Sequence, residues 1–339
     1  MRRHGAPPPR MTTTHPYDRL TPEVILDAVE TCGLRCTGAL LALNSYENRV
    51  YRAETQDEGM VVAKFYRPGR WTDAAIREEH SFTLMLHAHE IPAVAPRACR
   101  DDRTLCEHAG FRFALFPWQP GRAAELNSDE DFRILGRYLG RLHRLGAAEP
   151  FVHRLRLSVD EWGRKAVEHL KGCGMVPDEL GEAYAAITAY LLPRLDAAFA
   201  LTEQTRRLRL HGDCHLGNVL WSSAGPFFVD FDDCLTGPAV QDLWMLLSGN
   251  RNEREQQLAA LLAGYTQFMD FDPLELRLIE PLRTLRLLHY SSWLARRWDD
   301  PAFPRAFPWF NTQRYWEEQI LTLKEQAAAL DEPPLIWHA

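Results

Sequence analysis

The sequence predicts an α+β fold of two lobes: a small N-terminal lobe with an antiparallel sheet, and a larger, mainly helical C-terminal lobe. The chain has 339 residues and is 46% hydrophobic, which is enough to build two cores. Strand-like runs with one intervening helix occupy the sequence up to about residue 120. Amphipathic helical patterns dominate the remainder, so strands and helices are segregated along the chain.

The N-terminal half starts with the segment TPEVILDAVETCG, which predicts a helix because Thr21 can cap it and Pro22 suits its first position. Two runs rich in β-branched and aromatic residues follow, ALLALNSYENRVYRAET and GMVVAKFYRP, and polar QDEG separates them. They predict an antiparallel hairpin. The segment DAAIREEHSFTLMLHAHE then predicts a helix, and FRFALFPWQPG predicts a further strand.

The C-terminal half opens with DEDFRILGRYLGRLHRLG, whose apolar residues recur at helical spacing. Two more helical stretches cover about 158–200, and long amphipathic helices are expected from 239 to 330. Between them, RLRLHGD and GPFFVDFDD are short apolar runs that stop at acidic residues. We therefore predict a Pro-rich disordered tail at 1–16, an N-terminal lobe at 17–118, a C-terminal lobe at 119–330 and a short tail at 331–339.

Composition excludes several classes of protein. Lys and Arg total 39 against 46 Asp and Glu, a formal charge of −7, and no long basic run follows the first ten residues, so a nucleic-acid partner is disfavoured. No segment approaches 18 uninterrupted apolar residues, and no apolar stretch of signal-peptide length follows the basic N-terminus, so no membrane partner is expected. Seven scattered cysteines favour reduced thiols and a cytoplasmic location.

The stretch LHGDCHLGNVLW carries chemistry that folding alone does not require. Asp213 and Asn218 are five residues apart in a loop-like segment, and Asp230 follows a second apolar run. These three oxygen-bearing side chains can converge at one mouth. Mg²⁺ takes one or two carboxylates or carbonyls together with substrate phosphates, so an Asn and an Asp suit the ion while the other Asp orients a hydroxyl. That division of labour is typical of phosphoryl transfer.

Two other readings of the same stretch are weaker. His211, Cys214 and His215 could suggest a zinc site, but no second ligand cluster with the expected spacing accompanies them. A Ser-His-Asp hydrolase is disfavoured because no G-x-S-x-G turn occurs.

The segments HGDCHLGNVLW, FFVDFDD and GPAVQDLWMLL together resemble the aminoglycoside-phosphotransferase and choline-kinase branch of the protein-kinase-like fold. With LNSYENRVY and VVAKFYRPGRWT, the chain more narrowly resembles the bacterial stress response kinase A family, the RdoA-like Ser/Thr protein kinases. The resemblance runs from about residue 20 to 330. It implies a bilobal protein-kinase-like fold that uses ATP and Mg²⁺.

The resemblance also implies residue roles. Asp213 would be the catalytic aspartate, Asn218 a Mg²⁺ ligand, and Asp230 the counterpart of the DFG aspartate, serving both catalysis and the metal. The motif at Asp230 reads Asp-Phe-Asp, so the usual glycine is absent. Asp242 is expected to be a buried carboxylate that binds backbone donors of the catalytic loop.

The nucleotide site is expected in the N-terminal lobe. Lys64 matches the strand lysine that holds the α- and β-phosphates, and the next helix should supply its partner, with Glu79 favoured and Glu78 left open. The loop LNSYENRVY has no G-x-G-x-x-G, so Ser45 or local amides would have to meet the phosphates. Phe116 to Trp118 would form the hinge that receives adenine.

These expectations lead to a monomeric ATP- and Mg²⁺-dependent kinase that phosphorylates Ser or Thr on proteins, including itself. One alternative is a small-molecule kinase with a choline-, homoserine- or aminoglycoside-like acceptor. Another is a nucleotide-binding pseudokinase that acts as a scaffold, which is disfavoured because Lys64, Asp213, Asn218 and Asp230 are all present.

Overall fold

The computed structural model of the chain describes residues 16–223 and 225–338. All of the predicted N-terminal tail except Pro16 therefore lies outside the described residues. Within these ranges the chain forms two lobes, as the sequence predicts, and they meet where the last strand of the N-terminal sheet ends. None of the helices in the two ranges is long and apolar enough to cross a membrane.

The N-terminal lobe is built on a five-stranded antiparallel sheet with the strand order β1-β2-β3-β5-β4. The first helix begins as predicted, because the Thr21 hydroxyl accepts the Val24 amide at 3.4 Å. The first strand-like run holds two strands rather than one, since the polar residues of 43–48 turn the chain. The elements are α1 (Pro22–Thr31), β1 (Cys36–Ala42), β2 (Arg49–Thr55), β3 (Gly59–Phe65), α2 (Asp73–Ala88), β4 (Cys106–His108) and β5 (Phe111–Pro117).

The C-terminal lobe is mainly helical and carries two small sheets, β6-β8-β9 and β7-β10. Residues 239–246, predicted as part of a long helix, form short 3₁₀ turns between the helix breakers Pro238 and Gly249. The elements are β6 (Arg122–Ala123), α3 (Asp129–Gly146), α4 (Lys165–Gly172), α5 (Asp178–Leu201), β7 (Leu208–Leu210), β8 (Val219–Ser222), β9 (Gly225–Phe228), β10 (Leu235–Gly237), α6 (Arg251–Tyr265), α7 (Ile279–Arg296), α8 (Ala302–Ala306) and α9 (Gln313–Ala329).

Helices α3 and α6 cross with their backbones in direct contact. A methyl group at Gly136 would clash with the carbonyl group of Leu261, and one at Gly140 with the carbonyl group of Tyr265. Only glycine permits so close an approach. The crossing brings His143 of α3 within 3.0 Å of the Tyr265 hydroxyl, directly beneath the loop that follows β7.

The C-terminal segment 331–338 lies against the C-terminal lobe. Leu335 is buried, and the Trp337 ring makes an edge contact with Phe271. Arg251 donates hydrogen bonds to the carbonyl oxygens of Pro333 and Pro334. These contacts attach the segment to α6.

One pair of cysteines departs from the expectation of reduced thiols throughout. Cys32, at the end of α1, and Cys99, in the loop that leads to β4, form a disulfide. The two residues are 67 positions apart in sequence. Their proximity arises because the loop after α2 folds back over the end of α1, and spacing along the chain gives no sign of this.

Candidate active site

A cavity of about 340 Å³ lies in the cleft between the lobes. This volume is within the range of small-ligand sites. Asp213 lies next to the cavity, since the Asn218 side-chain amide donates to the Asp213 main-chain oxygen at 3.0 Å. The lining contains all the residues predicted to bind the cofactor or a metal, namely Ser45, Lys64, Glu79, Phe116, Trp118, Asn218 and Asp230.

The loop after β7 is held by a buried carboxylate. The backbone amides of His211 and Gly212 each donate to Asp242 at 2.8 Å, and the His143 ring contacts the same carboxylate at 3.1 Å. Asp242 is fully buried, as expected, so these hydrogen bonds are shielded from water. Gly212 has φ +85°, a conformation that favours glycine, and this turn directs Asp213 toward the cleft.

The two carboxylate oxygens of Asp213 have different surroundings. Arg286 of α7 binds Oδ1 at 2.5 Å. His215 and Asn218 approach Oδ2 at 3.5 Å each, which is long for a hydrogen bond. Burial alone would raise the pKa of Asp213, but the contact with His215 and the charge of Arg286 outweigh it and hold the pKa well below its usual range. Asp213 is therefore ionised, with Oδ2 available to accept a hydrogen bond.

Lys64 lies at the centre of a buried group of charges. Its Nζ is 3.2 Å from Glu79, 3.3 Å from Asp230 and 3.1 Å from Asp232. Burial would lower the pKa of Lys64, but the three carboxylates outweigh it and the pKa lies well above its ordinary value. The lysine is charged, and its position in β3 fixes it between α2 and the segment after β9.

Glu78 and Glu79, which the sequence could not separate, have different partners. Glu79 points inward to Lys64, whereas the Glu78 carboxylate accepts the backbone amides of Val152, His153 and Arg154 at 2.6–2.9 Å. Glu78 thus attaches α2 to the C-terminal lobe. The ion-pair partner of Lys64 is Glu79.

Asp230 is placed by an unusual backbone conformation. Its φ of +59° lies in the left-handed region, which a few non-glycine residues adopt and which Asp tolerates better than most. The preceding amide, of Val229, donates to the Asn218 carbonyl oxygen at 3.0 Å, so the segments that carry Asn218 and Asp230 are hydrogen-bonded side by side. The Asp230 side chain is 53% exposed and faces the cavity.

The remaining predicted nucleotide contacts line the outer part of the cavity. The Ser45 hydroxyl donates to the Asn48 carbonyl oxygen at 3.2 Å, so it stabilises its own turn in this structure. Phe116 lies in β5 opposite Val62, and Trp118 follows the strand, with the Arg52 guanidinium 5.0 Å from its ring centroid. These residues form one wall where the lobes join.

Sequence reasoning missed two arginines at the site. Arg154 is buried, binds Glu79, and donates to the Asp232 carbonyl oxygen at 2.7 Å. Arg286 binds Asp213. For Arg286 the sequence held one indication. Arg286, His289 and Trp293 recur at helical spacing, which places them on one face of α7.

The geometry does not support a zinc site formed by His211, Cys214 and His215. The His211 ring bonds the Val229 carbonyl oxygen at 2.9 Å, and Cys214 is fully buried. Within 16–223 and 225–338, His211, Cys214 and His215 are not among the groups whose ligand atoms converge on a point.

Solved structures share this architecture at low sequence identity. An amicoumacin kinase in complex with AMP-PNP, Ca²⁺ and Ami superposes with a TM-score of 0.69 at 18% identity, covering 90% of this chain and 94% of that chain. A microcompartment-associated aminopropanol kinase gives 0.66 at 18% identity, covering 91% and 98%. The fold is therefore that of the protein-kinase-like phosphotransferases.

The profile of the phosphotransferase enzyme family matches residues 40–279, and the chain belongs to that family. Stress response kinase A of Escherichia coli (strain K12) is 45% identical over 319 residues, which cover 94% of this chain and 96% of that protein. A protein of Salmonella typhimurium called serine/threonine protein kinase RdoA is 43% identical over the same shares of the two chains. The resemblance to stress response kinase A is confirmed.

Proposed function

We propose that this chain transfers the γ-phosphoryl group of ATP to a serine or threonine hydroxyl of a protein, itself included. The observation that carries the proposal is the convergence of Lys64, Asn218 and Asp230 on one cleft, with Asp213 beside it. In phosphoryl transfer the protein acts mainly by positioning groups and stabilising charge, and these residue types suit that task.

Asp213 would orient the acceptor. Because Arg286 holds Oδ1, the acceptor hydroxyl would donate its hydrogen bond to Oδ2. An ionised carboxylate beside the cleft would direct the hydroxyl oxygen toward the γ-phosphorus and take up its proton as the new bond forms. Lys64 would meet the α- and β-phosphates, held in place by Glu79.

Asn218 and Asp230 fit a hard divalent cation. Both supply oxygen ligands, and the Asn218 amide nitrogen is already used by the Asp213 main chain, which leaves its oxygen for the cleft. We assign these two residues to Mg²⁺. When bound, the ion would neutralise charge on the ATP phosphates.

The acceptor assignment rests partly on the relative named serine/threonine protein kinase RdoA. The solved neighbours are kinases named for small molecules, which makes a small-molecule acceptor the second candidate. A cationic acceptor of that kind would need free carboxylates near Asp213. Asp232 and Asp233 are instead both paired with Arg70, which favours the protein acceptor. We also propose that the chain is a monomer and that it is located in the cytoplasm, where ATP is supplied.

Incubation of the full chain with labelled ATP and Mg²⁺ tests the proposal. Label should appear on serine or threonine of the chain itself or of a generic basic protein. Asp213→Asn should lower turnover by about 100-fold or more while ATP affinity stays close to wild type, because Asn is nearly isosteric but a far weaker base.

The alternatives give different results. Labelling of choline, homoserine or an aminoglycoside with none on protein would reject the acceptor while keeping the catalytic assignment. ATP binding with no transfer to any acceptor would indicate a pseudokinase. Near-normal turnover of Asp213→Asn would remove Asp213 from catalysis.

A further inference from the structure

Three cysteine sulfurs converge at the outer end of the N-terminal lobe, away from the nucleotide cleft. They come from separate segments: Cys32 follows α1, Cys99 lies in the loop after α2, and Cys106 begins β4. The Cys106 sulfur is 2.7 Å from that of Cys99 and 3.8 Å from that of Cys32. In the described part of the chain, this is the only set of three His, Cys, Asp or Glu side chains whose ligand atoms all lie within 4.8 Å of one another.

The position of Cys106 does not suit thiol–disulfide exchange. A thiolate attacks a disulfide sulfur along the axis of the S–S bond, so its distances to the two sulfurs should differ by about one bond length, about 2.05 Å. The two distances from Cys106 differ by 3.8 − 2.7 = 1.1 Å. Cys106 therefore lies beside the Cys32–Cys99 bond, and the three sulfurs form a triangle.

Three sulfurs this close together can become ligands of one ion after a small outward shift, because sulfurs at about 2.3 Å from a tetrahedral Zn²⁺ lie about 3.8 Å apart. Cys32 and Cys99 are buried against the N-terminal core, whereas Cys106 is half-buried and gives access from solvent. Thiolates are soft ligands that select Zn²⁺ and Cu⁺ over hard cations. A fourth cysteine of this lobe, Cys36, is outside the triangle, and its sulfur contacts the Leu26 carbonyl oxygen at 3.8 Å.

We propose that, once the Cys32–Cys99 disulfide is reduced, Cys32, Cys99 and Cys106 bind one thiophilic metal ion, Zn²⁺ or Cu⁺. A dithiol or phosphine reductant supplies the two electrons that open the disulfide, and two protons complete the thiols. The three thiols then release three protons as the ion binds. Three thiolates suffice for Cu⁺, and water at the exposed side would complete a four-coordinate Zn²⁺ site. The ion would join the end of α1 to the loop after α2 and to β4, the strand to which that loop leads.

Metal competition on the purified full-length chain tests this site independently of kinase activity. The chain is reduced with a phosphine under nitrogen, desalted, and all seven thiols are counted after denaturation of a sample. It is then titrated with Zn²⁺ against a chromophoric chelator and, separately, with Cu⁺ against bicinchoninate. We expect Zn²⁺ or Cu⁺ to bind at one equivalent per chain. The titration in which binding occurs identifies the ion.

Variants identify the ligands. Cys106→Ser leaves the disulfide partners intact and should weaken binding by about 100-fold or more, with an unchanged circular dichroism spectrum. Cys36→Ser, in the same lobe, and Cys173→Ser, in the other, should bind like wild type. The oxidised chain, which retains one of the three thiols, should not bind.

Three results would overturn the proposal. The first is that neither ion binds to the fully reduced wild type. The second is that Cys106→Ser or the oxidised chain binds as well as the reduced wild type. The third is that Cys36→Ser loses as much affinity as Cys106→Ser, which would mean that the ligands are not these three sulfurs.

Discussion

At the scale of single residues, the carboxylate of Asp213, proposed to be catalytic, is oriented by an arginine of α7, a helix far from it in sequence. Arg286 holds one oxygen of Asp213 and lowers its pKa, while the other oxygen has only long contacts. The arginine thus keeps the carboxylate ionised and fixes its orientation. Both effects can be separated experimentally, because Lys preserves the charge but not the planar, forked geometry of the guanidinium.

Arg286→Gln should move the acid limb of the pH profile of kcat/KM to higher pH. Removal of a positive charge beside Asp213 favours its protonated form and raises its pKa, so activity should be lost at a higher pH as the solution is acidified. The measurement is kcat/KM against pH from about 3 upward, a range that extends to both sides of the ordinary Asp pKa of about 3.9. Arg286→Lys, the control, should keep the limb near its wild-type position. An unshifted limb in Arg286→Gln would contradict the electrostatic role of Arg286.

Asp230→Ala should weaken ATP binding in the presence of Mg²⁺ more than in its absence. The carboxylate is proposed to reach the phosphates through the ion, so the variant should lose the part of the affinity that Mg²⁺ contributes. Isothermal calorimetry measures the ATP affinity of the variant with and without Mg²⁺. Asp299→Ala, at an exposed residue, is the control. Equal losses in the two conditions would show that Asp230 is not a ligand.

At the scale of elements, the α3–α6 crossing supports the loop after β7, which carries Asp213. The two helices meet through glycines, and this contact holds His143 and Tyr265 beneath the Asp242 carboxylate. The site therefore depends on a backbone spacing that is set outside it. A substitution far from the cleft should be felt first as a loss of stability.

Gly140→Ala should destabilise the protein by about 1–3 kcal/mol, the range typical of overpacking, because the added methyl group would clash with backbone that cannot easily move. Gly181, in the exposed first turn of α5, has no atom within 4 Å of such a methyl group. Gly181→Ala should therefore be neutral or stabilise by up to about 1 kcal/mol. Chemical denaturation measures the free energy of unfolding, which should fall in Gly140→Ala and should stay the same or rise in Gly181→Ala. A stabilised Gly140→Ala would show that the helices can separate without cost.

Sequence reasoning found the parts of the site that lie within continuous motifs. Asp213 and Asn218 are five residues apart, and the strand pattern around Lys64 placed that residue in the sheet. It could not find Arg154 and Arg286, whose carboxylate partners lie 75 and 73 residues away. Such contacts depend on how complete elements pack. The disulfide between Cys32 and Cys99 escaped notice for the same reason.

At the scale of the whole molecule, ion pairs join the N-terminal lobe to the residues at and after the end of α7. Asp300 binds Arg49 at 3.0 Å and Arg67 at 2.8 Å, and its side chain is only 3% exposed. Glu47, in the loop between β1 and β2, pairs with Arg297 at 2.9 Å. The loop that covers the cleft is therefore attached directly to the C-terminal lobe.

Asp300→Asn should destabilise the protein by about 3 kcal/mol at pH 7, because it takes the carboxylate away from the largely buried guanidinium of Arg49 and leaves that of Arg67 with Glu47 alone. Asp331→Asn, which breaks the exposed pair with Arg194, should cost less than about 1 kcal/mol. Chemical denaturation at pH 7 compares the two variants. Similar losses in both would argue against a special role for the lobe interface.

The same ion pairs predict an acid sensitivity. Burial would raise the pKa of Asp300, but the hydrogen bond from Arg67 and the charges of both arginines outweigh it, so the folded-state pKa is lowered. Asp300 therefore contributes its full stabilisation above the unfolded-state Asp pKa of about 3.9. This stabilisation is lost as the pH falls from there through the lower folded-state pKa of Asp300. Between pH 5 and 3, wild type should therefore lose more stability than Asp300→Asn. Parallel losses would exclude Asp300 as the titrating group.

Helix α7 contacts both regions of the proposed reaction. Arg286 in its middle contacts Asp213, where the acceptor hydroxyl would arrive. Trp293 near its end donates to Glu47, in the loop that borders the cavity proposed to bind ATP. Any acceptor that shifts this helix changes the resting position of the loop. Acceptor and nucleotide affinities should therefore be thermodynamically linked, each altering the other by the same factor. Because α7 contacts both regions, the binding of one substrate would be transmitted through this helix to the site of the other before the phosphoryl group is transferred.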